Sequence, residues 1–97
     1  KLSPDGTKMI SANMKGGFND PLNQDQLLLY DFDENTGIAS NQQRLFISSD
    51  NKYPYGVEFS PDSQLLYVNS SNDLGANNSS AIHTSSLTQF NLAAYIL

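Results

Sequence analysis

Tyr55-Gly56-Val57-Glu58-Phe59-Ser60-Pro61-Asp62-Ser63-Gln64-Leu65-Leu66-Tyr67-Val68-Asn69 reads as strand, tight turn, strand. Val57 and Phe59 alternate onto one face, and Leu65 to Asn69 returns the chain. A shortened copy opens the chain: Leu2-Ser3-Pro4-Asp5-Gly6-Thr7-Lys8-Met9-Ile10-Ser11-Ala12-Asn13. In that turn Pro4 presets φ, Asp5 can bond its own backbone, and Gly6 accepts a positive φ.

Outward from these hairpins the chain alternates strands with polar connections. Gln26 to Asp33 is a strand, and its run Leu27-Leu28-Leu29-Tyr30-Asp31-Phe32 is apolar enough to be covered on both faces. Asp33-Glu34-Asn35-Thr36-Gly37 is a hairpin turn with Gly37 suited to a left-handed position. Ile38 to Asn41 is a weak extended piece, and Gln43 to Ser48 is the expected fourth strand. Leu87 to Leu92 alternates as a strand. Residues 14–26 and Ser70 to Ser86 read as loops, with Phe18 and Leu22 tacking the first onto the sheet.

The order repeats. Ser3-Pro4-Asp5 and Ser60-Pro61-Asp62 lie 57 positions apart, and Phe32 and Phe90 lie 58 apart. Met9 and Ile10 then fall against Leu66 and Tyr67. Four-stranded antiparallel sheets repeated radially make a β-propeller, so the expected fold is all-β with about two consecutive blades. Residues 1–52 would hold most of one blade. Residues 53–97 would hold the next without its outer strand, and Val57 to Ser60 would be its inner strand. A chain of this kind is expected to be a fragment of a longer one, with self-association through open sheet edges if it folds alone.

Phe59 to Val68 resembles the inner hairpin of YVTN/lactonase-like and WD40-like propeller blades. Leu29-Tyr30-Asp31-Phe32-Asp33-Glu34-Asn35-Thr36-Gly37 looks like their third strand and following turn, with Tyr30-Asp31 where WD40 repeats carry Trp-Asp. Tyr55 to Pro61 is similar to propeller regions of large secreted Bacteroidetes proteins with PKD-type repeats and a gliding-motility-type sorting domain. The resemblance implies a secreted or cell-surface location. The expected role is a non-catalytic binding or spacer module, with a piece of a lactonase-like propeller hydrolase as the alternative.

Composition narrows the chemistry. The 97 residues are 38% hydrophobic and only 15% charged, so Ser, Asn and Gln carry the polarity, which suits turn-rich β structure. The net charge of -5 without a basic cluster argues against nucleic acid and anionic membranes as partners. No apolar run is long enough for a membrane span. The absence of cysteine removes disulfides and thiolate chemistry.

Few residues stand out as functional. Glu58 is the only charged residue in its strand and is placed to face a propeller channel. Tyr55, with Tyr53 and Tyr67, can offer an aromatic platform to carbohydrate, although such tyrosines more often cover an interface between blades. Glu58 and Tyr55 are the candidate ligand-binding residues, for a protein or carbohydrate ligand; no catalytic residue, metal site or cofactor is expected. Asp31, Asp33 and Asn35 alternate as in a calcium loop, but Gly37 and Gln42 stand out of step with one, and a hairpin turn explains them better. Asp5 and Asp62 occupy equivalent turns and are expected to bond their own backbones. His83 is the sole histidine and reads as a loop residue. The Asn-X-Ser triplets at Asn69, Asn77 and Asn78 matter only in a eukaryotic secretory setting.

Overall fold

A computed structural model of the chain describes residues 1–13, 26–47, 53–72 and 84–95. Phe18, Leu22, Asn77, Asn78 and His83 lie outside the described residues. Among the described residues, six strands form two antiparallel three-stranded sheets. The first sheet orders β1 (Lys8–Ala12), β2 (Leu27–Asp33) and β3 (Ile38–Arg44). The second orders β4 (Tyr53–Phe59), β5 (Leu65–Ser71) and β6 (Ser85–Asn91). A 3-10 turn, Leu92–Tyr95, follows β6.

The all-β class agrees with the turn chemistry, but the sheets hold three strands rather than four. The expected strand at Gln43 to Ser48 is the main correction. Pairing starts directly after the Asp33–Gly37 turn, where Ile38 faces Asp33, so the weak Ile38 piece is the true third strand. Asn41 adopts a positive φ of 54° and donates its side-chain amide to Asp31, and here the register shifts between Leu29 and Asp31. Leu45 then leaves the ladder, donates its N–H to the carbonyl of Leu27, and buries its side chain in the core. An apolar run that looked like a strand is thus a core plug followed by an exposed Phe46. β2 is likewise fully covered on one face only, since Leu28 is half-buried between buried Leu27 and Leu29. The polar connection after β5 is shorter than its composition suggests, because Ser70 and Ser71 pair with Ser86 and Ser85.

The two halves repeat the same backbone bonds around their turns. Leu2 bridges Met9 as Phe59 pairs with Leu66. Ser3 N–H reaches the Lys8 carbonyl as Ser60 N–H reaches that of Leu65. Gly6 N–H reaches the Ser3 carbonyl as Ser63 N–H reaches that of Ser60. Gly6 and Ser63, at the same place in their turns, both have positive φ, 74° and 61°. The match of Phe32 with Phe90 needs correcting. Tyr30 faces Met9 as Phe90 faces Leu66, and Phe32 N–H closes on Thr7 as Leu92 N–H closes on Gln64. Phe90 therefore corresponds to Tyr30, and Phe32 to Leu92. The register is set by these closing bonds, which a match of aromatic residues does not report.

One core joins the sheets. Ile10, Leu27 and Leu29 from the first pack with Phe59, Leu66, Val68 and Phe90 from the second. The equivalent positions are not the ones buried. Ile10 is buried while its counterpart Tyr67 is not; Leu66 is buried while its counterpart Met9 is only half so. Leu27 is 1% exposed and its counterpart Leu87 is 66% exposed. Because side chains alternate along a strand, this parity swap means that the sheets pack front to back: one face of the repeat meets the opposite face of its neighbour.

Leu66→Ala is expected to lower stability by about 2–5 kcal/mol through lost burial and a cavity. Leu87→Ala, on an exposed face, should change it by less than about 0.5 kcal/mol; urea unfolding of both variants checks the contrast. Gly6→Ala should cost about 1–2 kcal/mol, because a Cβ there faces a left-handed backbone and also runs into the Glu34 carboxylate.

Candidate functional site

The two Ser-Pro-Asp turns come side by side at one end of the sheets. In each, serine and aspartate form a closed set of bonds. Ser60 Oγ donates to Asp62 Oδ1 at 2.6 Å and accepts from the N–H of Leu65, while Asp62 Oδ1 also accepts from the N–H of Gln64. Ser3 and Asp5 repeat this, with Thr7 giving Asp5 both its N–H and its hydroxyl. Ser63 links the turns: its Oγ accepts from the N–H of Asp5 at 3.0 Å. A cleft of about 170 Å³ lies between them, bordered by Thr7, Lys8, Gln64 and Ala93 among others.

These bonds leave the aspartates as turn anchors. The Ser3 hydroxyl, then the Thr7 hydroxyl and N–H, hold the Asp5 carboxyl below its ordinary value. The Ser60 hydroxyl, then the Gln64 N–H, do the same for Asp62. Both stay ionised, and both accept rather than offer protons. The serine hydroxyls are committed to these carboxylates, whose lowered pKa makes them weak bases for activating a nucleophile.

Asp31 is held elsewhere. The Asn41 amide is the largest cause of its lowered pKa, followed by the hydrogen bond and charge of Lys8, with which it forms an ion pair. Asp33 accepts the N–H of Asn35 in the hairpin turn. Asp31, Asp33 and Asn35 therefore serve bonds within the hairpin and to Lys8 and Asn41. No group of three or more acidic, histidine or cysteine side chains that could hold a metal ion occurs among the described residues.

Glu58 and Tyr55 lie on β4, an edge strand of the second sheet. Glu58 pairs with Lys1 at 3.1 Å, with 67% of its side chain exposed. Tyr55 is 52% exposed and sits where the β4–β5 register shifts between Pro54 and Gly56. The bulge turns the tyrosine out of the ladder. Tyr67 pairs with Glu58 across β4 and β5, so the two share one face. A second surface went unnoticed in the sequence: Gln42, Arg44 and exposed Phe46 border an open cleft beside β3. Its only sequence signal was Phe46, concealed within an expected strand.

No protein-family model, curated protein or solved structure matches the chain.

The stability that Asp5, Asp31 and Asp62 contribute is complete above the ordinary carboxyl value of 3.8 and is lost as pH falls below it, through their lowered values. Thermal melts as a function of pH should show this acid limb. Asp31→Asn should flatten it, because the unfolded chain then no longer takes up a proton that the folded carboxylate refuses.

Proposed function

We propose that the chain is a pair of consecutive β-propeller blades, spanning residues 1–52 and 53–97, from a secreted or cell-surface protein. Its role is that of a non-catalytic binding or spacer module. The observation that supports this is the front-to-back packing of two sheets with the same turn bonds. A radial array uses one face of each blade against the opposite face of the next, whereas a sandwich built on a two-fold axis would bury equivalent residues. The β4 edge is the ligand-facing side. Tyr55 supplies an aromatic surface, and Glu58 an acceptor beside Lys1. A sugar or a protein loop suits such a surface, because an exposed ring covers apolar area while its hydroxyl stays wet. The hydrolase reading draws little support from the described residues, since Asp5, Asp31 and Asp62 all serve structural bonds.

Tyrosine fluorescence titration with neutral oligosaccharides tests the binding role. Tyr55→Ala is expected to weaken binding up to about tenfold, the scale of one aromatic contact. Glu58→Gln should weaken it less and change stability by under about 1 kcal/mol, since its ion pair is exposed. Lactone hydrolysis by the purified chain that is lost in Glu58→Gln would replace this reading with the enzymatic one.

A further inference from the structure

The front-to-back packing leaves each sheet one outer face, and the two faces differ. The first sheet's outer face carries Leu2, Met9, Leu28, Tyr30 and Phe32, half-buried apart from exposed Leu2. Four of these positions correspond by hydrogen-bond register to Phe59, Leu66, Phe90 and Leu92, which form the second sheet's half of the core. The second sheet's outer face carries Leu65, Tyr67 and Leu87. Tyr67 and Leu87 stand where Ile10 and Leu27 stand in the first sheet's half of the core. Each outer face therefore repeats the positions of the face that is buried in the other sheet.

We propose that copies of this chain associate head to tail, the outer face of the first sheet in one copy packing on the outer face of the second sheet in the next. The contact continues the interface already present inside the chain. The occupant follows from that continuity: a surface built on the positions of one half-core is best matched by the other half-core, and a second copy presents it. Two of the edge strands offer a poorer contact. β4 carries Pro54 and a register shift, and β3 carries the left-handed Asn41; both features interrupt a regular ladder of hydrogen bonds. The inference stands on register and burial alone and goes beyond the proposed binding role. Whether the stack closes into a ring depends on the propeller reading.

Head-to-tail contacts have a signature that two-fold contacts lack. Leu87→Lys blocks one face and Tyr30→Lys the other, so each variant alone is expected to lose association. An equimolar mixture should regain it as a dimer, because one intact face of each kind remains. Sedimentation velocity of the wild-type chain, each variant and the mixture reads this, with circular dichroism to confirm the fold. Leu2→Lys, at an already exposed residue, takes the place of Tyr30→Lys if that variant unfolds. A wild-type chain that stays monomeric at its highest attainable concentration overturns the proposal. So does association that persists in either single variant, as edge or two-fold pairing requires, or a mixture that stays monomeric. A wild-type assembly that closes at a fixed size supports both the stacking and the propeller. Unlimited growth supports the stacking and removes the propeller.

Discussion

The apolar layer between the two sheets is what the rest of the structure depends on. Ile10, Leu27 and Leu29 meet Phe59, Leu66, Val68 and Phe90, and Leu45 joins them from beyond β3. A three-stranded sheet alone buries little, and a hairpin alone is marginal in water. Covering one face with a second sheet removes that face from solvent and pins each register, because a slip of one residue would turn the apolar set outward. The bulge at Asn41 and the departure of Leu45 from the ladder are consistent with this demand: the chain gives up regular pairing at the end of β3 to place one more leucine in the layer.

The turns hold the sheets in step. Both Ser-Pro-Asp turns satisfy their backbone through the same serine and aspartate, and the Ser63 hydroxyl joins one to the other. Ser63 holds a left-handed backbone at which its counterpart is glycine. A serine there carries a steric cost. Its hydroxyl gives the N–H of Asp5 a partner, which offsets part of that cost. The acidic residues most easily mistaken for chemistry are those the fold uses as fasteners. Their depressed pKa values follow from hydroxyl, amide and N–H donors, with the Lys8 charge adding to the effect at Asp31. A perturbed carboxylate is thus a weak guide to catalysis when its donors belong to its own turn or ladder.

Both proposals rest on surfaces. Tyr55 and Glu58 share an edge strand, and Tyr55 is exposed at its register shift. The outer faces carry apolar side chains at positions that are core in the neighbouring sheet. The apolar outer faces arise because a repeat presents, at its ends, the faces that it buries in its middle. Glu58 shares the second sheet's outer face with Tyr67, so the proposed binding site and the proposed assembly surface adjoin there.

Much was legible in the residues themselves. The Ser-Pro-Asp turns, the Gly37 turn and the apolar strands at Met9–Ala12, Leu27–Phe32 and Leu65–Val68 are local matters of φ preference and alternation, and a sequence reports such preferences directly. So too was the bonding of Asp5 and Asp62 to their own turns, since the partners lie within a few positions. The tertiary structure alone decided which strand follows the Gly37 turn, how Phe90 aligns in the repeat, and which face of each sheet is buried. Those depend on hydrogen bonds such as that from the Leu92 N–H to the Gln64 carbonyl, and on packing between residues of the two sheets. Alternation says that two faces differ. Only the neighbour across the core decides which one turns away from water.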